Sequence, residues 1–298
     1  MRFRNGLLGF GVTALVALYF FFGSGHFAAP KIYDCFLFYN EFDLLEIRLN
    51  ELKDVVDKFV IVEAAETFRG KPKPFLFPEN KDRFREFADK IIYVQVKGYY
   101  EADTPWKREM HQRNQIMEGL KQCHPQDVIM ISDVDEIIRN EKVKDMVLPL
   151  LHSKTDLVVC EQSLYYGYLN HIDAATQWRG PVAMTYKNVK KLRPKTLRKL
   201  RHLHEKRLKH YHIDKYKIVE NGGWHFTSMG GIHRLITKLE SFSYAEMDTA
   251  ENKDPERIRR VIAAYPRVPI DESFPKFVRN NQDYLIKTGL IEESPLLD

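Results

Sequence analysis

The sequence has few of the residues that crosslink small secreted domains. It contains three cysteines, Cys35, Cys123 and Cys160, in 298 residues. An odd count without paired spacing argues against a disulfide framework. Cys35 and Cys160 lie in apolar runs, where buried free thiols are common. Repeats, low-complexity tracts and Gly/Ser-rich linkers are also absent, which argues against solenoids and flexibly linked modules.

Neither sign of charge dominates the composition. The net charge is +5, with 29% charged and 12% aromatic residues, which is typical of a folded globular protein. The positive charge is concentrated in residues 187–217, where thirteen Lys and Arg face only Glu205 and Asp214. Contact with nucleic acid or an anionic membrane is conceivable there. Because no nucleic-acid motif accompanies this segment, a solvated basic helix without a nucleic-acid partner is predicted.

Residues 1–30 differ in kind from the rest of the chain. Arg2 and Arg4 precede an apolar stretch that runs, with two polar interruptions, to Ala29. A helix of this length can span a bilayer, and positive charge before it favours a cytoplasmic N-terminus. We predict a short tail and transmembrane anchor, with a catalytic domain at 31–298 on the far side. A cleaved signal peptide is the alternative.

From residue 31 onward, strand-like and helix-like segments alternate. Apolar runs predict strands, and apolar residues at helical spacing or N-cap signals predict helices. This order predicts an α/β fold with a parallel sheet and right-handed crossovers. The predicted strands are 32–39, 59–62, 91–96, 128–131 and 157–160, and the predicted helices are 41–57, 79–90, one starting at Pro105, and 141–151.

The stretch 127–138, DVIMISDVDEII, is the centre of the functional prediction. A buried strand ends at Ser132 and is followed by Asp133, Asp135 and Glu136. Clustered carboxylates repel one another unless a cation joins them. Oxygen ligands at a strand end suit Mg²⁺ or Mn²⁺, which also bind phosphates, and ligands of open α/β sheets bind at such ends. The alternative is a solvated acidic turn.

The helix that begins with Thr104 and Pro105 carries an arginine on an apolar stripe. Trp106, Met110, Met117 and Leu120 share this face, and Arg113 lies in its middle. A cation there requires a carboxylate or an anionic ligand. Glu109, one turn earlier, is the structural candidate. Alternatively, Arg108 or Arg113 binds a diphosphate near the acidic cluster.

Two later segments offer further candidates. Glu161 opens a polar and aromatic stretch, residues 161–168, that is typical of sugar sites, and Trp178 could join it. Gly222 and Gly223 predict a turn that presents Trp224 and His225. His225 is either a structural residue or the nitrogen ligand that completes the metal site.

Six ordered blocks of this sequence resemble glycosyltransferase family 17. They are FLFYNEFDLLEIRLNEL, DKFVIVEA, GKPKPFLF, PWKREMHQRN, IMISDVDEI and GGWHF, and the similarity covers residues 32–290. The resemblance implies a GT-A-like, Rossmann-related fold, a divalent metal (Mn²⁺ or Mg²⁺) and inversion at the anomeric carbon. It further implies transfer of N-acetylglucosamine from UDP-GlcNAc to a glycan or glycoprotein hydroxyl, as in the bisecting β-1,4 linkage on β-mannose. A Golgi-like, single-pass type II membrane location is implied as well.

The resemblance also assigns roles to individual residues. Asp133 and Asp135 match the D-x-D motif that binds the metal, Glu136 matches the acid after it, and His225 matches a late histidine. The residues implied in donor binding are Glu63, Arg108, Glu109, Arg113 and Trp224. The catalytic base stays open among Glu161, Glu246 and Asp271, with Glu161 taken as the candidate.

Two alternative functions, from other classes of protein, remain. A strand followed by D-x-D also opens the haloacid-dehalogenase phosphatases, in which the first Asp is a nucleophile. That metal-dependent phosphohydrolase pattern requires Thr or Val at Ile137 and a late acidic pair, neither of which is present. A non-catalytic, membrane-tethered carbohydrate-binding domain is the second reading. It would not need a metal cluster that faces a phosphate.

Overall fold

A computed structural model describes residues 29–98 and 102–293. Within these residues, nine strands form one mixed sheet in the order β3-β2-β1-β4-β7-β6-β9-β5, and β8 also pairs with β6. The strands are Ile32–Phe38 (β1), Lys58–Ala64 (β2), Ile91–Val96 (β3), Val128–Asp133 (β4), Glu136–Ile138 (β5), Leu157–Tyr166 (β6), Ile172–Thr185 (β7), Tyr216–Val219 (β8) and Gly223–Thr227 (β9).

Helices cover the sheet. The α-helices are Phe42–Leu52 (α1), Leu76–Asn80 (α2), Pro105–Asn114 (α3), Ile116–Gly119 (α4), Asn140–Leu151 (α5), Tyr186–Leu192 (α6), Pro194–Lys199 (α7), Glu205–His210 (α8), Gly231–Ser241 (α9), Pro255–Ala263 (α10), Lys276–Asn280 (α11) and Gln282–Lys287 (α12). Short 3₁₀ helices occupy Lys81–Phe87, Leu200–His202 and Ala245–Met247.

The predicted parallel sheet is confirmed for β3, β2, β1 and β4. Strands β1, β2 and β4 are mostly apolar because both of their faces are buried. On β4, Val128 and Met130 enter one core cluster, while Ile129 and Ile131 enter the other. The sheet then becomes mixed, because β7 pairs antiparallel with both β4 and β6. The sequence did not predict β7, whose first half is partly exposed and has no continuous apolar run.

Three expectations about individual segments were wrong. Residues 161–168 are not a loop after a short strand, because β6 continues to Tyr166. The predicted helix at 79–90 is the end of α2 followed by a 3₁₀ helix. The apolar stripe around Arg113 is not continuous, since α3 ends at Asn114 and Trp106 is 40% exposed. The N-cap of α3 is confirmed: the Thr104 side chain accepts a hydrogen bond from the Lys107 amide.

The glycine pair at 222–223 does not form the predicted presenting turn. Gly223 is the first residue of β9, so Trp224 and His225 lie within a strand. A Cβ at Gly223 would lie 2.0 Å from the Ile137 carbonyl oxygen, and the residue has φ +158°. Glycine therefore allows β9 to approach β5 closely.

A buried ion pair lies beneath the first strands. Arg48 on α1 and Asp34 on β1 are both inaccessible to solvent, and Arg48 Nη2 lies 2.6 Å from Asp34 Oδ1. The remaining Arg48 donors bind Ser132 Oγ and backbone carbonyls of the turn between β4 and β5. The guanidinium also lies over the Phe36 ring, 4.3 Å from its centroid. Arg48 therefore joins α1, β1 and the acidic turn.

The predicted membrane anchor at residues 1–30 lies outside the described residues, apart from Ala29 and Pro30. Residues 29–98 and 102–293 contain no helix that is both long and apolar enough to cross a membrane. The three cysteines are free, and Cys35 and Cys160 are buried as predicted.

The Arg48–Asp34 pair predicts a large effect on stability. Arg48→Met leaves a buried carboxylate unpaired, so the free energy of unfolding should fall by about 3–5 kcal/mol in urea denaturation. The control is Arg259→Met, which breaks an exposed pair with Glu256 and should cost at most about 1 kcal/mol. Similar losses in both variants would contradict a central role for Arg48.

Candidate active site

A cleft of about 770 Å³ opens at the carboxyl ends of β1, β2 and β4. The acidic turn lies in its wall, as expected for an open α/β sheet. Of the described residues lining the cleft, eight are Lys or Arg and five are Asp or Glu. The cations are Lys73, Arg113, Lys195, Arg198, Lys199, Arg201, Arg234 and Lys238, and the acids are Glu41, Glu66, Glu109, Asp133 and Asp135. The cleft therefore carries a net positive charge that suits an anionic ligand.

The backbone of the acidic turn is held in place by hydrogen bonds from Arg48 and from β9. Arg48 Nη1 donates to the carbonyl oxygens of Asp133 and Glu136, at 2.9 Å each, and of Val134 at 3.3 Å. The Phe226 amide donates to the Asp135 carbonyl from β9. These bonds fix the turn, so its side chains project from a rigid base.

Asp133 lies between two arginines. Its Oδ1 is 2.8 Å from Arg113 Nη2, and its Oδ2 is 3.0 Å from Arg198 Nη2. Burial alone would raise the pKa of Asp133, but the two guanidinium groups outweigh it and hold the pKa well below its usual range. Asp133 is therefore ionised, and both of its oxygens are engaged by arginines.

Arg113 has donor capacity left over. Its Nη2 also lies 2.9 Å from Glu109 Oε1, so Glu109 is the structural partner that the spacing indicated. The Arg113 residue is only 4% exposed, and its buried Nη1 has no hydrogen-bond partner among the described residues. An unpaired buried donor is costly unless a ligand engages it.

Asp135 faces a different set of cations. Its Oδ2 is 3.2 Å from Lys238 Nζ on α9, and its Oδ1 is 3.6 Å from His225 Nε2 on β9. The Lys238 ammonium also donates to Thr227 Oγ1. Burial alone would raise the pKa of Asp135, but Lys238 and His225 outweigh it and lower the pKa from 3.8 to about 2.

Glu136 does not line the cleft. It is fully buried, and it accepts hydrogen bonds from Trp178 Nε1, Arg198 Nη2 and the Asp133 amide. All of these partners are fixed parts of the fold. This carboxylate holds Arg198 against Asp133, and the catalytic role of Glu136 stays a prediction.

The three predicted metal ligands are not equivalent. The described residues include no group of three or more His, Cys, Asp or Glu arranged to bind a metal ion. Asp133 is turned to its arginines, whereas Asp135 and His225 face each other. One carboxylate and one imidazole fit Mn²⁺ or Mg²⁺ when substrate phosphates supply the remaining ligands. The buried His225 Nδ1 has no described partner.

The sequence itself decides the family. The sequence model of glycosyltransferase family 17 matches residues 23–269. The chain belongs to glycosyltransferase family 17. This confirms the resemblance carried by the six sequence blocks, and it favours a transferase over the phosphohydrolase and binding-domain alternatives.

The matched relatives are much longer proteins. The β-1,4-mannosyl-glycoprotein 4-β-N-acetylglucosaminyltransferases of Homo sapiens and Rattus norvegicus are each 34% identical over 106 residues, which is 33% of this chain and 20% of the relative. The chain thus spans about a fifth of the length of these curated relatives.

Two solved structures are remotely similar. The 4-diphosphocytidyl-2C-methyl-D-erythritol synthase matches with TM-score 0.41 and 11% identity over 64% of this chain and 89% of its own. S. aureus TarS 1-349 matches with TM-score 0.39 and 13% identity over 65% and 60%.

Two of the residues that match family 17 motifs lie in the core. Glu63 is fully buried, and it accepts hydrogen bonds from Lys73, Tyr93 and the first amides of α2. Trp224 is 1% exposed and donates to the Ser273 carbonyl. Neither side chain lines the cleft, and their donor contacts stay predictions.

Two further candidates also lie away from the cleft lining. Arg108 donates to the Phe68 carbonyl and packs over Gly70. Glu161 accepts a hydrogen bond from Arg179 on the neighbouring strand. Of the predicted residues, the structure brings Glu109, Arg113, Asp133, Asp135 and His225 together in the cleft.

The sequence analysis missed three cleft residues of this family 17 protein. Arg198 belongs to the segment predicted as a solvated basic helix, yet it is buried beside Asp133. Glu41 lies in the first of the six family blocks but was given no role, and Lys238 lies in none of them. Trp178, considered for sugar stacking, has His225 at 4.4 Å and the Arg201 guanidinium at 4.6 Å from its ring.

The charge state of Asp135 can be tested through stability. Its lowered pKa means that the ionised form stabilises the fold above about pH 4, and that this contribution is lost as the pH falls toward about 2. Wild type should be more stable than Asp135→Asn near neutral pH, and the difference should shrink between about pH 4 and pH 2. Urea denaturation of both proteins measures this difference. A difference that does not vary with pH would contradict the Lys238 pairing.

Proposed function

We propose that this protein is an inverting glycosyltransferase that moves N-acetylglucosamine from UDP-GlcNAc to a hydroxyl of a β-mannose or another glycan. The observation that carries the proposal is the buried Arg113, which lines the cleft, reaches Asp133 beside Arg198 and has a buried Nη1 without a hydrogen-bond partner among the described residues. The parallel half of the sheet supports a GT-A-like arrangement. The activity for which the relatives are named supports the choice of sugar and of a glycoprotein glycan as acceptor.

Arg113 and Arg198 are the proposed diphosphate ligands. Planar guanidinium groups match phosphate oxygens in two-pronged contacts. Asp133 contacts both arginines and helps to orient them, together with Glu109 and Glu136. As UDP departs, negative charge develops on the diphosphate, and prepositioned cations stabilise that charge without reorganisation. This is the main contribution of the chain to leaving-group stabilisation.

Asp135 and His225 would hold a divalent metal together with the diphosphate. When bound, such a metal neutralises charge on the leaving group. Lys238 keeps Asp135 ionised, which is the state that a ligating carboxylate requires. The proposed metal ligands are therefore two residues rather than the three that the D-x-D motif and His225 suggested.

Glu41 is the proposed catalytic base. It lines the cleft, and its Oε2 accepts the amides of Tyr39 and Asn40, which orient the carboxylate. Among the described residues it forms no ion pair, unlike Glu109, Asp133 and Asp135. Burial raises the pKa of Glu41 above its usual 4.5. A carboxylate with a raised pKa is better matched to accept the proton of the attacking hydroxyl.

The reaction can be tested with a panel of nucleotide sugars and Mn²⁺. UDP release should be fastest from UDP-GlcNAc, should increase when a mannose-containing glycan is added, and should fall in chelator. The glycosidic bond of the product should have inverted configuration by NMR. Release of inorganic phosphate, or no UDP release from any donor, would refute the proposal.

Two matched substitutions test the base in the same assay. Glu41→Gln should lower transfer roughly 100- to 10,000-fold, the usual effect of losing a general base, without weakening UDP binding. Glu161→Gln, outside the cleft, should have little effect. A large loss of transfer in Glu161→Gln, with little effect of Glu41→Gln, would instead make Glu161 the catalytic base.

We also infer that residues 1–30 anchor the protein in a secretory, Golgi-like membrane as a type II protein. Arg2 and Arg4 before the apolar stretch support this orientation. The mature protein should keep its N-terminus and resist carbonate extraction. A soluble form that begins near residue 30 would instead indicate a cleaved signal peptide.

A further inference from the structure

One face of α3 lines the cleft from its mouth to the acidic turn. Trp106, Glu109, Met110 and Arg113 are spaced at i, i+3, i+4 and i+7, which places them in one row along a helix. At one end the row presents an aromatic ring. At the other end lies the buried Arg113 guanidinium, whose Nη1 has no hydrogen-bond partner among the described residues. The chemistry of the row therefore changes from apolar to cationic along its length.

The aromatic end is exposed and has a second ring beside it. Trp106 is 40% exposed and Tyr244 is 43% exposed, and both line the cleft. Their ring centroids lie 4.5 Å apart at 80°, so the edge of one ring meets the face of the other. Phe242 also lies in the cleft wall, 5.1 Å from Tyr244. Exposed aromatic groups clustered in a cleft typically mark a ligand contact.

The spacing of the row fits a single ligand that has a ring at one end and charge at the other. Arg113 follows Trp106 by seven positions on the helix, which is a distance of roughly 10.5 Å along the axis. Glu109 lies between them. The Glu109 carboxylate accepts hydrogen bonds from Arg113 and from Ser243 Oγ. It keeps further lone pairs that can accept a hydrogen bond from a ligand hydroxyl. In proteins that bind dinucleotides, carboxylates bind the ribose hydroxyls in this way.

We propose that Trp106 is the stacking platform for the nucleobase of the donor, with Glu109 at the ribose and Arg113 at the diphosphate. This inference rests on the proposed function and specifies how the donor lies. Stacking on an aromatic ring tolerates different bases, so selectivity for uracil would come from other contacts.

The alternative occupant of this platform is the acceptor sugar. Contacts connect Arg113 to Asp133, and the turn then leads to Asp135 and Lys238. Inversion requires the acceptor to attack from the side opposite the departing diphosphate. The acceptor therefore belongs beside the proposed base Glu41, which also lines the cleft. The aromatic end of the α3 row is then left for the base of the donor.

The test compares UDP with inorganic pyrophosphate in calorimetric titrations. Trp106→Ala should weaken UDP binding roughly 5- to 150-fold, the range for loss of one stacked base. Pyrophosphate, which has no base, should bind wild type and variant equally. Trp106→Phe should keep most of the UDP affinity. Tyr216→Ala removes an equally exposed aromatic from β8, outside the cleft lining, and should change neither affinity.

Three outcomes would overturn the inference. Unchanged UDP affinity in Trp106→Ala, with a raised KM for the glycan acceptor, would assign the platform to the acceptor. Equal losses for UDP and pyrophosphate would make Trp106 a structural residue. Wild type that binds neither ligand would refute the proposed function, and the inference with it. The first two outcomes refute the inference alone, since wild type still binds UDP.

Discussion

The site depends on one buried cation. Arg48 neutralises Asp34 beneath the sheet, and its remaining donors bind Ser132 and the carbonyls of the acidic turn. A lysine could not replace it, because an ammonium lacks the planar arrangement of five donors. With the backbone of the turn fixed from below, Asp133 and Asp135 project toward different sides. This separation gives them different partners and therefore different chemistry.

The contacts around that turn arrange the cleft in order. The α3 row leads through Arg113 to Asp133, and the turn leads to Asp135 and Lys238. The row itself changes from aromatic at Trp106 to cationic at Arg113. A nucleotide sugar changes in a corresponding way, from base through diphosphate to the sugar carbon that is attacked. The excess of cations lets the chain itself neutralise much of the diphosphate charge.

Local signals predicted the elements that local physics controls. Apolar runs located β1, β2, β3 and β4, and Thr104 with Pro105 located the start of α3, because burial and capping act over a few residues. The role of Arg198 could not be predicted, since it arises from contact with Asp133, 65 residues earlier. Glu63 and Trp224 match family motifs but are buried. A matching residue identifies the family, and only the fold distinguishes a ligand contact from a packing contact.

A crystal structure with UDP and Mn²⁺ would reveal the order of the groups along the cleft. We expect the uracil ring against Trp106, the diphosphate on Arg113 and Arg198, and the metal held by Asp135 and His225. Density for UDP in the reverse direction, with the base near Glu41 or Lys238, would contradict it.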